Sequence, residues 1–434
     1  MKVSVVGTGY VGLITGVGLA SLGHSVECVD VVEKKVAMIN AKKPPIFEEG
    51  LQELLDKAVP KHLRATTDLK AAVLGSEITF ICVGTPCDES GKIDLRFVKS
   101  VSEGIGRALA EKKAYHVVVV KSTVVPGTTD SVVLPVIESA SGKKAGLDFG
   151  VAMNPEFLRE GKAVEDFFKP DRIVLGSADE RALVLLEKLY EKLDAPKMRT
   201  TAKTAEMVKY ASNSFLATKI SFINELGNLC KILGIDTYEV AAGMGLDRRI
   251  SPHFLNSGCG YGGSCFGKDV SALETLAREK GFEMKLLRDV MAVNKAQPIK
   301  MVELLKKRAG TKSLAGKRVA VLGLAFKEGT DDLRDSPAIP IMLALMDDGA
   351  KVYASDPKGL ENARREPAFS RHLAALHFLE SPQEAIDKSE FVLLVTDWKE
   401  FRTLEYGDHI VIDGKNVLPK EFRIKVKNYE GICW

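Results

Sequence analysis

No stretch of this chain approaches the ~18 consecutive apolar residues that a bilayer-spanning helix needs. No basic tail or block of like charge is present either, and a net charge of +3 over 434 residues gives no electrostatic reason to expect nucleic acid or a membrane as partner. Lys2 ahead of an apolar run imitates a signal peptide, but a convincing cleavage site is missing and the run contains a glycine pattern with its own mechanical purpose. Cysteine is scarce: seven residues, an odd number without paired spacing, make neither a disulfide framework nor a zinc site. The histidines form no cluster, and a reducing, cytoplasmic compartment without a structural metal is expected. What remains is 45% hydrophobic and 27% charged, as in a globular protein, and too long for one ordinary core. Two or three domains are expected.

One loop stands out, Gly258-Cys259-Gly260-Tyr261-Gly262-Gly263-Ser264-Cys265-Phe266-Gly267-Lys268-Asp269. Its glycines allow positive φ angles and close approach of a ligand to the main chain. Val270, Leu273, Leu276 and Ala277 follow at helical spacing, so Cys265 is expected at a helix N-terminus with Lys268 nearby, where thiolate is favoured over thiol. An isolated cysteine is more often a small buried hydrophobe. The flanking glycines and the Lys268-Asp269 pair argue for chemistry instead.

The N-terminus reads as a strand, Lys2 to Val6, then Gly7-Thr8-Gly9-Tyr10-Val11-Gly12, a helical pattern to Leu22, and a second strand ending in Asp30. This is the dinucleotide fingerprint in its structural context: glycines for the tight turn and for pyrophosphate approach, helix amides for the phosphates. A carboxylate at Asp30 accepts from ribose hydroxyls and repels a 2′-phosphate, favouring NAD over NADP, although Lys34 and Lys35 weaken that preference. Continuous apolar strands at Ile78–Val83 and His116–Val120 imply a parallel sheet buried on both faces. Thr85 and Thr123 at their ends either contact nicotinamide and ribose or merely turn the chain. A strand near Phe149 to Met153 leads into Asn154-Pro155-Glu156-Phe157-Leu158-Arg159-Glu160-Gly161, whose acids either flank a reaction centre or are solvated.

From about Ala202 to Asn294 the period becomes 3.6, with one long helix ending near Gly234 that could support both domains or a dimer interface. Lys209 and Asn213, four apart, share a face of it as either a satisfied polar pair or active-site groups. Past Pro298 the first pattern returns, with strands at Lys317–Leu322, Ala350–Ser355, Phe391–Thr396 and His409–Asp413. This second α/β unit lacks a full glycine triplet, so its ligand is expected to be nucleotide-like but not NAD, with two ligands facing each other across a cleft. Lys327 and Arg334 lie where they either reach phosphates or are ordinary surface charges.

The fingerprint at Gly7 to Gly12, the Asn154–Gly161 segment, Lys209 with Asn213, Gly260 to Asp269, and Phe326-Lys327 with Arg334-Asp335-Ser336 together resemble the UDP-glucose/GDP-mannose dehydrogenase family, and within it the UDP-glucose 6-dehydrogenases. The resemblance runs in order through nearly the whole chain. Its cysteine loop is specific to nucleotide-sugar dehydrogenases, and Lys268 argues against the UDP-N-acetylmannosamine enzymes. Two positions depart from the common pattern: Cys259, which would put a second thiol close to the site, and Gly267, where proline or glutamine is frequent.

The resemblance implies an α/β fold of two Rossmann-like doubly wound domains joined by a long central helix and a helical domain. The expected divisions are 1–198 for NAD, 199–300 for the helical and dimerisation segment, and 301–434 for the UDP-sugar. It implies an NAD-dependent four-electron oxidation of UDP-glucose to UDP-glucuronate through a thiohemiacetal and a thioester on Cys265. Glu156 would assist the hydrolytic water, Lys209 and Asn213 would stabilise the oxyanion, Asp269 would help remove a proton, and Thr123 would order a water. For NAD it points to Gly7, Gly9, Tyr10, Val11, Gly12, Asp30, Lys35, Thr85, Thr123, Glu160, Lys268 and Arg334. For the sugar nucleotide it points to Glu156, Phe157, Leu158, Lys209, Asn213, Phe254, Tyr261, Gly262 and Lys327, with Arg249 supplied across a homodimer interface. The alternatives are a GDP-mannose 6-dehydrogenase and a two-electron 3-hydroxy-acid dehydrogenase, the latter needing neither Cys265 nor the second α/β unit. A non-catalytic NAD-binding scaffold would not need the full set of reacting groups.

Overall fold

The structure, a computed structural model, describes residues 1–88 and 90–434. It contains two compact units, Met1–Ser212 and Asn213–Trp434. The first is built on eight strands: β1 (Lys2–Val6), β2 (Ser25–Val29), β3 (Leu63–Thr66), β4 (Ile78–Ile81), β5 (His116–Val120), β6 (Phe149–Met153), β7 (Ile173–Gly176) and β8 (Lys197–Thr200). They lie in the order β3-β2-β1-β4-β5-β6-β7-β8. Pairing is parallel from β3 through β6, β7 runs antiparallel to β6, and β8 is parallel to β7. The winding reverses between β1 and β4, and ligands of doubly wound sheets bind at the carboxyl ends of the strands at such a switch point.

Every residue of β5 is buried. Val117 and Val119 pack on one face with Leu13, Val17 and Leu55, while Val118 and Val120 pack on the other with Ile105, Leu109 and Ile137. Alternate side chains point to opposite faces, so a strand covered on both sides has no polar period to display.

The second unit repeats the plan with β9 (Arg318–Leu322), β10 (Lys351–Ser355), β11 (Leu376–Phe378), β12 (Phe391–Leu394), β13 (Ile410–Asp413) and β14 (Asn428–Gly431). Their order is β11-β10-β9-β12-β13-β14, parallel throughout. The two sheets are the Rossmann-like folds expected from the sequence. Strands β3, β7, β8, β11 and β14 have no counterpart in the sequence reading. Most are three or four residues long and half exposed, as in Lys197–Thr200, and leave little apolar signal.

The long helix runs from Ala202 to Leu233, about 48 Å at 1.5 Å per residue. Thr201 caps it by accepting the Thr204 N–H at 3.1 Å, and Gly234 ends it at φ +71°. The boundary between the two units falls inside this helix. Its buried face carries a polar stripe: Glu206, Lys209, Asn213, Ser221 and Asn224 are all buried and recur at helical spacing.

Gly176 of β7 fixes how closely this helix starts against the sheet. A Cβ there would lie 2.7 Å from the Thr201 carbonyl oxygen and 2.9 Å from the Ala202 Cα, backbone that cannot step aside. Gly176→Ala is expected to destabilise the protein by about 1–3 kcal/mol through overpacking, read as a lower urea midpoint. An unchanged midpoint would show the contact to be slack.

Candidate active site

The turn after β1 is shaped by close backbone packing. Gly7 sits at φ +95°, and a Cβ on Gly12 would lie 1.8 Å from the Gly7 carbonyl oxygen, so only hydrogen fits there. A Cβ on Gly9, by contrast, would meet nothing within 4 Å. The first bond of the following helix, Tyr10–Ser21, joins the Leu13 N–H to the Gly9 carbonyl. The amides of Tyr10, Val11 and Gly12 therefore have no acceptor within the helix and stand at its positive end. Open space in front of unpaired amides fits the pyrophosphate of NAD.

Asp30 is engaged differently from the sequence expectation. One of its oxygens accepts the Thr8 N–H at 2.8 Å and the Thr8 hydroxyl at 2.5 Å, and the other accepts the Val32 N–H at 3.0 Å. Burial works to raise its pKa, but these bonds and the Lys35 charge outweigh it and leave the carboxyl below its usual range. The acid thus braces the glycine turn. The Thr85 hydroxyl donates to the Thr123 carbonyl at 2.8 Å, bringing the ends of adjacent strands together. The Tyr10 side chain is engaged within the protein. Its hydroxyl donates to Glu48, and Glu48 accepts the Gly161 and Ala163 amides at 2.7 and 2.6 Å, anchoring the segment that follows Glu160.

At the end of β6, Glu156 meets Lys209 of the long helix at 2.9 Å, both side chains almost fully removed from water. Burial alone would raise the Glu156 pKa. The Lys209 ammonium beside it, the Leu158 N–H at 2.6 Å and the Lys121 charge outweigh that and hold the carboxyl below its ordinary range. Phe157 packs under the Arg172 guanidinium, 3.9 Å from ring centroid to guanidinium carbon, and the Lys209 ammonium lies 5.6 Å from the same ring. One turn along the helix, Asn213 donates to buried Asp269 at 2.6 Å, and the Lys268 ammonium sits 2.6 Å from the other Asp269 oxygen. Lys268, expected beside the thiol, has its ammonium on Asp269. Lys209 and Asn213 each hold a carboxylate.

Cys265 is the residue before the helix Phe266–Glu279, whose first bond runs from the Asp269 N–H to the Cys265 carbonyl. Its half-buried thiol lies 3.6 Å from the Ser264 hydroxyl, at the N-terminal end of that helix. The glycine loop leading to it is laced by side chains that the sequence did not single out. Asn224 accepts the Gly258 N–H at 2.8 Å, Gln297 donates to the Gly258 carbonyl at 2.8 Å, Asn294 bonds both the amide and the carbonyl of Tyr261, and Lys415 donates to the Gly260 carbonyl at 2.9 Å. Gly263 needs both its φ of +86° and its missing side chain, because a Cβ would lie 2.8 Å from the Phe326 ring. Gly267 is explained likewise, since a Cβ would lie 2.7 Å from the Asp335 carboxylate.

Phe254 and Tyr261 gather around the Phe266 ring at centroid distances of 6.3 and 5.7 Å. Gly262 packs on the Asp335 carbonyl, and Lys327 lies over the Phe326 ring at 5.3 Å. Arg334 pairs with Asp332 and Arg249 with Asp247, each within its own loop. Cys259 corrects an expectation. It is fully buried in the second unit's core, directed at the Val395 carbonyl at 3.7 Å, and burial pushes its thiol pKa up and away from reactivity. In the second unit Asp356 ends β10 as Asp30 follows β2, but it accepts the amides of Leu324, Ala325, Lys358 and Gly359 and the Trp398 indole N–H. These exceed the roughly four lone-pair sites of a carboxylate, so none is left for a ribose.

Three family models match successive parts of the chain. They are the NAD binding domain of the UDP-glucose/GDP-mannose dehydrogenase family over residues 1–194, its central domain over 203–296 and its UDP binding domain over 320–420. The UDP-glucose 6-dehydrogenase AglM of Haloferax volcanii is 44% identical over 430 residues, covering 97% of this chain and 98% of that one. A solved UDP-glucose dehydrogenase from the hyperthermophilic archaeon Pyrobaculum islandicum has a TM-score of 0.93 at 44% identity, covering 100% of this chain and 97% of that one. The GDP-mannose dehydrogenase of Pseudomonas aeruginosa, solved as a ternary complex, is 38% identical with a TM-score of 0.58, covering 100% of both chains.

Lys209→Met strands Glu156 in a buried setting without its nearest cation, and a loss of about 3–5 kcal/mol in urea unfolding followed by circular dichroism is expected near neutral pH. Glu156 has its folded pKa depressed below its ordinary 4.5, so the pair's contribution is present above that value and disappears as pH falls through the folded value. The gap between wild type and variant should therefore close in acid. A gap that is absent at neutral pH would mean the pair contributes nothing.

Proposed function

The chain belongs to the UDP-glucose/GDP-mannose dehydrogenase family, and on that premise we propose that it oxidises the C6 alcohol of UDP-glucose to the carboxylate of UDP-glucuronate with NAD. The observation that carries the reading is Cys265, a half-buried thiol at a helix N-terminus reached by a glycine loop that its surroundings hold rigid. A two-electron hydroxy-acid dehydrogenase has no use for it. Between the sugar nucleotides, 44% identity to the UDP-glucose 6-dehydrogenase of Haloferax volcanii against 38% to the GDP-mannose dehydrogenase favours UDP-glucose.

Bound NAD+ supplies the oxidant for each of two successive two-electron steps. Around it, the amides of Tyr10 to Gly12 take the phosphates, Asp30 takes the ribose, and Thr85, Thr123 and Glu160 line the approach. The Cys265 sulfur adds to the carbonyl carbon of the aldehyde formed first, making a thiohemiacetal that cannot diffuse away. Its oxidation gives a thioester. Water then adds to the thioester carbon, the C–S bond breaks, and carboxylate and thiol are released. Lys209 and Asn213 stabilise the oxyanion that develops on the substrate oxygen, Glu156 takes a proton from the attacking water, and Asp269 accepts the proton of the alcohol. Each acid is hydrogen-bonded to one of the oxyanion donors, so donors and bases are oriented together before substrate binds. In functional terms, residues 1–198 serve NAD, 199–300 the thiol and dimerisation, and 301–434 the uridine nucleotide.

The working form is a homodimer. Phe215, Phe222 and Leu229 are half or more exposed at seven-residue intervals on the long helix, beside the 82% exposed Ile232, a seam that needs an apolar partner. Arg249 is exposed and pairs with Asp247 in its own loop, and this exposure supports a role for it at a neighbour's substrate. No helix among the described residues is long and apolar enough to cross a membrane. The reading of a reducing cytoplasm rests on seven cysteines that form no disulfide among the described residues.

Two molecules of NADH should form per UDP-glucose consumed, and a steady ratio of one would overturn the four-electron reading. Cys265→Ser should bind NAD as wild type does while releasing no uronate, and full turnover by it would dismiss the covalent role. Phe222→Glu should shift the mass measured by light scattering from dimer to monomer, whereas a surviving dimer would place the interface elsewhere.

A further inference from the structure

Behind Glu156 lies a second buried amine that the reaction described above does not use. Lys121 follows β5 and is buried, its ammonium 2.9 Å from the Asn154 side-chain oxygen and 3.5 Å from the Asn154 carbonyl. Asn154 is the hub of the turn that presents Glu156. Its amide donates to Val120 at 2.9 Å, its side-chain NH2 donates to Val174 at 2.9 Å, and its side-chain oxygen also accepts the Tyr190 hydroxyl at 2.7 Å. Pro155 then joins this hub directly to Glu156. Neutral hydrogen bonding would suffice to hold such a turn. A desolvated ammonium is a costly choice unless its charge has work to do.

We infer that Lys121 is a positioning residue for the hydrolytic half of the reaction, fixing the Asn154–Glu156 turn and supplying positive charge behind Glu156 that keeps this carboxylate ionised when Lys209 turns to the substrate. The charged and titratable groups facing Lys121 are Glu156 after β6, Lys209 of the long helix, and Cys82 after β4, with Tyr190 sharing its Asn154 partner and the Phe80 ring centroid at 5.9 Å. Among them only Glu156 is an anion at neutral pH, because burial pushes the Cys82 thiol up to about 12. Burial brings the Lys121 amine down to about 8, with Cys82 and Glu156 opposing and Lys209 assisting, so the ammonium is the main form at neutral pH. Lys209 touches the buried carboxylate, and the Lys121 charge, held on Asn154, acts on it through space. When Lys209 shifts its bonding to a substrate oxyanion, Lys121 remains as the cation that prevents Glu156 from taking up a proton prematurely.

The inference rests on the assignment of Glu156 to the water, and the pH dependence of kcat with UDP-glucose and NAD tests both separately. Lys121→Met and Lys121→Gln remove the charge, the second keeping a donor for Asn154, and both are expected to move the acidic limb upward by about one pH unit and lower kcat about tenfold, with the KM for NAD unchanged. Lys121→Arg should restore the limb. If Lys121→Met proves too unstable, as its urea midpoint will show, Lys121→Gln carries the test. An acidic limb that stays at the wild-type position in the charge-removed variants, or that moves equally in Lys121→Arg, would overturn the inference. Wild-type kcat in Glu156→Gln would instead overturn the assignment of Glu156.

Discussion

A carboxylate and an ammonium taken out of water together must meet, and the Glu156–Lys209 pair at 2.9 Å is the constraint from which the rest of the site follows. Either charge alone would cost several kcal/mol in that setting. The long helix is therefore held to one rotation and one height against the end of β6. With Lys209 placed, Glu206 one turn earlier receives the Gly127 and Thr129 amides and the Thr129 hydroxyl, tying down the chain that leaves Thr123. Asn213 one turn later holds Asp269, in the first turn of the helix that starts after Cys265. Within each unit, then, a residue of this helix holds one buried carboxylate: Lys209 holds Glu156 and Asn213 holds Asp269.

The reactivity proposed for Cys265 would depend on rigidity as much as on charge. A helix N-terminus stabilises a thiolate only if the thiol stays in front of the unpaired amides. Glycine by itself would let the loop wander, since it has the largest backbone freedom to lose. Asn224, Asn294, Gln297 and Lys415 remove that freedom by bonding loop amides and carbonyls in turn. Cys259, six residues earlier, shows the contrast. Burial within an apolar core makes the same chemical group inert.

Much of this was legible in the chain. Lys2–Val6 with Gly7 to Gly12, the valine run of β5, and the long helix ending at Gly234 announce themselves because their determinants are local: apolar period, turn glycines and caps. The Lys209–Asn213 spacing and the Gly260–Asp269 loop were visible for the same reason. Glu48, Lys121, Asn224 and Gln297 were not, because each acts on backbone groups distant in sequence and stands in its own segment as an ordinary polar residue. The reversed strand β7 was hidden too, since an apolar run carries no mark of its direction.

The sequence by itself determined the class of fold and the kinds of reacting group, because periodicity, glycine placement and side-chain chemistry are properties of short segments. Tertiary structure alone decided the partners. Asp30 braces the turn at Thr8, Lys268 serves Asp269, Asp356 is consumed by the amides around it, and Cys259 disappears into a core. Hydrogen bonds and ion pairs act over about 3 Å, and no spacing along a chain reveals which distant groups the folded backbone will bring that close.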